Sequence, residues 1–122
     1  MLKPLLIAVV LAGVSTHTLA SGNIEAGERK FKWCVSCHAV GPSGNGGFGP
    51  QLNGLFGRKA GSTPDYRYST AMKGSGIVWT DVTLTAFLRN PTTVVPGTKM
   101  RFWGIGNDQD IADLLSYLRT FK

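Results

Sequence analysis

The chain has 122 residues with 13 basic and 7 acidic side chains, a formal net charge of +6, and at that length a single domain is expected. The positive balance comes with no dense Lys/Arg run and no nucleic-acid motif, so nucleic acid is excluded as the expected partner. Solubility or attraction to acidic protein surfaces is the expected use of the charge.

In chain order, residues 1–20 read as a secretory signal peptide and residues 21–122 as the domain. Lys3 supplies a positive start, Leu5 to Val14 is a short apolar run, and Thr18-Leu19-Ala20 offers the small residues that a signal peptidase reads. A membrane-spanning helix needs about 20 apolar residues, more than this run holds. The expectation is therefore cleavage after Ala20, with no membrane insertion afterwards. Without Lys3 the remaining chain carries a net +5. A domain of that size buries a limited core and commonly leans on a disulfide, metal or cofactor.

Residues 21–33 are expected to be helical. Ser21 or Asn23 can cap, Glu25 and Glu28 suit the positive helix end, and Ile24, Gly27 and Phe31 share a face. Gly27 inside a helix costs roughly 1 kcal/mol against Ala, a cost usually met where another helix approaches closely. Residues 41–67 are rich in Gly and Pro, without sustained periodicity, and read as a long loop wrapped around something functional. Ser69 to Lys73 suggests a short helix. Thr80 caps a clearer one with Leu84, Phe87 and Leu88 on its inner face, ended by Pro91. Residues 91–106 read as a second loop. Asn107 caps the last helix, in which Ile111, Leu114, Leu115 and Leu118 repeat at helical spacing. No stretch makes a convincing strand. The fold class is all-α, with few helices and two extended loops, and a large apolar prosthetic group would complete its core.

Chemistry is concentrated in Cys34-Val35-Ser36-Cys37-His38. C-x-x-C-H is the pattern of c-type haem attachment. Each thiol adds to one haem vinyl group, and the adjacent histidine ligates the iron. Three other readings compete. A thioredoxin-type redox pair needs a preceding strand in a βαβ unit, whereas here a helix precedes. A structural zinc site needs four ligands, and two Cys and His38 are all that remain once His17 leaves with the signal. A Cys34–Cys37 disulfide would close a loop too short to stabilise much. For a sixth iron ligand, residues 21–122 hold no second His but two methionines. Met72 lies among helix formers and fits the usual role of core filler. Met100 follows Pro96-Gly97-Thr98-Lys99 in a constrained loop that could hold a thioether against iron.

On these residues the chain resembles the class I c-type cytochromes, mitochondrial cytochrome c and its bacterial periplasmic relatives. Besides Cys34 to His38, the shared motifs are Gly49-Pro50-Gln51-Leu52, Gly54-Leu55-Phe56-Gly57-Arg58-Lys59, Tyr68-Ser69, Gly76-Ile77-Val78-Trp79, Pro96-Gly97-Thr98-Lys99-Met100 and Ala112-Asp113-Leu114-Leu115-Ser116-Tyr117-Leu118. The resemblance spans nearly all of Gly27 to Leu118. It implies the cytochrome c fold around one haem c, covalent through Cys34 and Cys37, with His38 and Met100 as the metal ligands. It further implies that the Pro50 carbonyl accepts from the second His38 nitrogen. Arg58, Tyr68 and Trp79 would hold haem propionates, Thr98 would hydrogen-bond in the pocket, and Phe102 would lie beside the distal face. Gly27 and Phe31 would cross the last helix near Leu114 and Tyr117.

Two positions depart from the mitochondrial pattern. Phe87 replaces a tyrosine whose hydroxyl reaches the Met sulfur, and Met72 replaces an asparagine of the buried polar network. A drier pocket is expected.

The function implied is a soluble, monomeric, periplasmic electron carrier between membrane complexes such as a cytochrome bc complex and a terminal oxidase or reaction centre. A dedicated haem subunit of one oxidoreductase is the alternative. A haem peroxidase would need distal acid–base residues, and the segment around Thr98, Lys99 and Arg101 offers no His, Asp or Glu.

Overall fold

The computed structural model describes Gly13 and residues 21–122; the rest of the expected signal segment, with its cleavage point, lies outside the described residues. Five helices follow in order: α1 (Ile24–Phe31), α2 (Thr70–Lys73), α3 (Asp81–Arg89), α4 (Pro91–Val94) and α5 (Asp108–Leu118). Side chains cap each start. Asn23, Ser69, Thr80, Asn90 and Asn107 accept the N–H of Ala26, Met72, Thr83, Thr93 and Asp110, satisfying donors that a first helical turn leaves free.

The segment 91–106, expected as loop throughout, begins instead with α4. Pro91 both stops α3 and starts α4, because a first helical position needs no N–H and favours the proline φ. α1 is shorter than the 21–33 expected, since Asn23 caps it. The chain then turns through residues 32–37 without continuing the helix. Among the described residues the one sheet-like contact is an isolated antiparallel bridge between Lys59 and Val78. Around it Gly57 N–H donates to Trp79 O, Trp79 N–H to Arg58 O and Ala60 N–H to Ile77 O. These bonds set Arg58 and Trp79 side by side.

The frame is the crossing of α1 on α5. A Cβ on Gly27 would run into the Asp113 backbone and Tyr117 Cβ, so only glycine permits this approach. Phe31 and Tyr117 pack with ring centroids 5.5 Å apart. Asp113, buried against the crossing, accepts from Asn23 N–H (2.8 Å) and Gln109 Nε2 (2.9 Å). Those bonds, the Asn23 N–H first, hold its carboxyl below the usual carboxylate range. Its contribution to stability is present above the ordinary carboxylate pKa and fades as pH falls through the lowered one. Ile111 and Leu114 are fully buried on the inner face of α5. No helix among the described residues is long and apolar enough to cross a membrane.

Candidate functional site

Between α3, α5 and the two long loops lies a cavity of about 430 Å³. Leu84, Phe87 and Leu88 of α3, Leu114 and Leu118 of α5 and Met72 of α2 give it an apolar wall. Every candidate from the sequence lines this one cavity: Cys34, Cys37, His38, Pro50, Arg58, Tyr68, Trp79, Thr98, Met100 and Phe102.

The cysteines and the histidine stand on the turn that follows α1 and just past it. Cys34 N–H donates to Phe31 O (2.8 Å), Cys37 N–H to Cys34 O (3.1 Å) and His38 N–H to Cys34 O (2.8 Å). Both thiols are free, Cys34 buried and Cys37 exposed. Burial, reinforced by the neighbouring Cys37, pushes the Cys34 thiol up to about 11. A thioredoxin-type pair needs the opposite, a thiolate stabilised near neutrality.

His38 Nδ1–H donates to the Pro50 carbonyl at 2.7 Å. A carbonyl can only accept, so Nδ1 carries the proton and the Nε2 lone pair is left for a metal. Burial lowers the imidazole pKa, the Pro50 bond raises it and the Arg58 charge lowers it again, with a net shift downward. The ring is thus held neutral, with its orientation fixed by Pro50.

Across the cavity, Thr98 is buried and its Oγ1 accepts from Met100 N–H (3.3 Å). Arg58 turns its guanidinium to the Asn53 and Gln51 carbonyls, both at 3.0 Å. Burial is the main cause of its lowered pKa. Tyr68 OH and Thr63 Oγ1 share a hydrogen bond of 2.5 Å. Phe87 packs against Trp79 with centroids 5.1 Å apart, and the buried Met72 lines the same space, so both departures from the mitochondrial pattern fall on the cavity wall.

The donor set suits an iron macrocycle. Two unpaired thiols, a neutral imidazole and a thioether face one apolar space, and among the described residues no three His, Cys, Asp or Glu side chains gather to hold a bare ion. Sequence reasoning missed the exposed aromatics at the rim, Phe48 and Trp103, and the loop contacts of Gln51, Asn53 and Asp65. The adjacency of Trp103 to Phe102 in the sequence was the available signal for Trp103, and their rings pack with centroids 4.7 Å apart. Nothing in the spacing pointed to the loop contacts.

The family profile described as Cytochrome c matches residues 24–122. The chain belongs to the cytochrome c family. It is 47% identical over 121 residues to a cytochrome c2 of Rhodomicrobium vannielii, covering 98% of this chain and 97% of that one. A cytochrome c-550 of Bradyrhizobium diazoefficiens is 45% identical over 96 residues, covering 79% of this chain and 71% of the relative. Among solved structures, cytochrome cH from Methylobacterium extorquens superposes with a TM-score of 0.76 at 40% identity, over 81% of this chain and 99% of that one. This cytochrome has the all-α cytochrome c fold, binds one haem c covalently through Cys34 and Cys37, and is an electron carrier.

Proposed function

We propose that this cytochrome carries single electrons in a bacterial periplasm between membrane complexes, a cytochrome bc complex on one side and a terminal oxidase or reaction centre on the other. His38 and Met100 would hold its iron. The observation that carries this reading is the His38 ring, fixed by Pro50 with Nε2 free, on one wall of the cavity that Met100 lines. When bound, haem c supplies an iron that changes oxidation state by one electron.

The residues do the rest. Cys34 and Cys37 tether the group, and His38 would hold the iron as a neutral imidazole made more basic by Pro50. Met100 would add a soft thioether, a donor that favours Fe(II). Two protein ligands would leave little to rearrange when an electron is exchanged. Arg58, Tyr68 and Trp79 would hold the propionates. Arg58 has five N–H donors and gives two of them to backbone carbonyls, so donors remain.

The chain is a carrier and not an enzyme in this reading. Among the described residues the charged side chains lining the cavity are Arg58, Lys99 and Arg101, and no carboxylate lines it to move protons on a substrate. Optical spectra of both redox states test the site. A weak far-red ferric band, characteristic of a Met–iron bond, and a pyridine spectrum of two thioethers are expected; absence of the band removes Met100 as ligand.

A further inference from the structure

The peptide segment that presents the Pro50 carbonyl is held on both sides. Before it, Gly49 N–H donates to Cys37 O at 2.8 Å. After it, both backbone groups of Gln51 are taken: the carbonyl accepts from Arg58 Nη2 (3.0 Å) and the N–H donates to Asp65 Oδ2 (3.1 Å). Asp65 comes from the far side of the long loop and reaches the segment because Gly46 leaves room. A Cβ on Gly46 would collide with the carbonyl and carboxylate oxygens of Asp65. Partial burial raises the Asp65 carboxyl. Bonds from the Thr63 side chain and the Gln51 N–H, with the Arg58 charge, outweigh that and keep it below the usual range.

We propose that Asp65 is a positioning residue for His38: its carboxylate clamps the Gln51 amide, fixes the carbonyl of Pro50 against His38 Nδ1–H, and so sets the orientation and basicity of the iron ligand. This rests on His38 being the axial ligand. Asp65 is not itself among the residues that line the cavity, and its hydrogen bond reaches His38 through one amide. Its charge also acts on Arg58, so the clamp is separated from the charge by variants that lose the charge alike. An aspartate can do this and a small apolar residue cannot, because the Gln51 N–H would lose its acceptor. A charge-assisted bond is also stronger than a neutral one.

The test compares Asp65→Asn with Asp65→Ala in the haem-loaded protein. Both lose the charge, but the asparagine keeps an oxygen that can accept from Gln51. The readout is the exchange rate of the His38 ring N–H, followed by proton NMR of the ferric protein, where an iron-bound imidazole is shifted far outside the ordinary range. A wild-type protein without that shifted resonance would overturn the ligand reading itself, before either variant is made. Given the resonance, Asp65→Ala is expected to exchange roughly fivefold faster, the loss of one ordinary net hydrogen bond, while Asp65→Asn, which keeps a neutral acceptor, falls between Asp65→Ala and the wild type. The reduction potential of Asp65→Ala should also lie above that of Asp65→Asn, because a less basic imidazole stabilises Fe(III) less. Equal rates and potentials in the two variants would show that the acceptor oxygen at this position does not matter, and would overturn the clamp.

Discussion

Besides its helical wall the cavity has two loop walls, which differ sharply in how they are held. On the His38 side, Leu52 N–H reaches Ala39 O, and Gly41 and Asn53 exchange two bonds of 2.7 and 2.9 Å. Arg58 ties two carbonyls, and Pro50 holds the ring. On the Met100 side, the residues from Thr98 to Ile105 are held at intervals. Thr98 N–H binds Val95 O, Met100 N–H binds the Thr98 hydroxyl, Lys99 Nζ reaches across to Arg67 O at 2.7 Å, and Ile105 N–H closes on Leu88 O. Local opening follows the density of such bonds. A ligand carried on the first wall should stay, and one carried on the second should be exchangeable. That asymmetry suits a carrier whose stronger donor is imidazole and whose weaker one is a thioether.

The largest expected effect comes from deleting the proposed weaker ligand. Met100→Ala should lower the reduction potential and let cyanide or imidazole bind the ferric iron, since a donor that favours Fe(II) is gone and the site is open. Titration of the variant by optical spectroscopy measures it. An unchanged spectrum with small ligands still excluded would show that the distal wall does not contribute Met100.

Matched glycine substitutions sharpen the contrast. In Gly49→Ala the new Cβ would lie 2.7 Å from His38 Cε1 and 2.9 Å from Nδ1. Forcing apart a packed ring of this kind costs about 1–3 kcal/mol, to be read from denaturant unfolding. In Gly97→Ala the backbone φ of +90° is the obstacle, with the Cβ only 3.2 Å from Ala71 Cβ. The cost there is about 1–2 kcal/mol. The loss should appear first as a weakened far-red ferric band. If Gly49→Ala unfolds no earlier than wild type, the proximal wall is softer than its hydrogen bonds imply.

Much of this frame was legible in the chain itself. The caps at Asn23, Thr80 and Asn107 and the inner face of α5 follow from local chemistry, and C-x-x-C-H marks the site. The other candidate residues, from Pro50 to Phe102 apart from Met100, could be gathered only through the family resemblance, because loops 41–67 and 91–106 have no period to read. α4 was hidden because Pro91, rightly read as the end of α3, also opens a helix. The Asp65 clamp was hidden because side chain to backbone bonds between distant loop residues leave no trace in spacing. Gly27 was the opposite case: its helix penalty announced a close approach, and the Asp113 backbone and Tyr117 supply it.

A smaller effect, confined to one oxidation state, concerns alkaline pH. A deprotonated amine is a better donor to Fe(III) than a thioether, so a lysine on the loosely held wall can replace Met100 once its proton is lost. Thr92 and Thr93 cannot supply one. Lys99 can, after breaking its bond to Arg67 O and leaving the Tyr66 ring, 6.0 Å from its Nζ. One dominant alkaline form is expected. In Lys99→Ala that form should be displaced or lost in the ferric protein, with the ferrous protein still Met-ligated. The same loss of the far-red band at the same pH in the variant would remove Lys99 as the incoming ligand.

The smallest expected effect is that of salt on electron transfer, and it concerns the rim where the two walls meet. The positions that carry lysines around the haem edge in the mitochondrial protein are here Trp33, Gly47, Thr92, Thr93, Gly106 and Asn107, with Lys99 the one cation kept. The rim presents aromatic surface instead. Trp33 belongs to the His38 side, with Lys30 Nζ 4.9 Å from its ring centroid, and Trp103 to the Met100 side, 77% exposed. Exposed charges more than about 8 Å apart are largely screened at physiological salt. A partner steered by a ring of charges therefore loses rate steeply as salt is added, while one held by aromatic contact does not. Stopped-flow reduction at increasing ionic strength should show a shallow slope in the wild type. Trp33→Ala and Trp103→Ala should each slow the reaction without changing that slope, since tryptophan contributes contact area and no charge. A slope as steep as that of lysine-ringed relatives would place the docking energy in Arg101, Lys99 and the other cations, and would reduce the two tryptophans to rim packing.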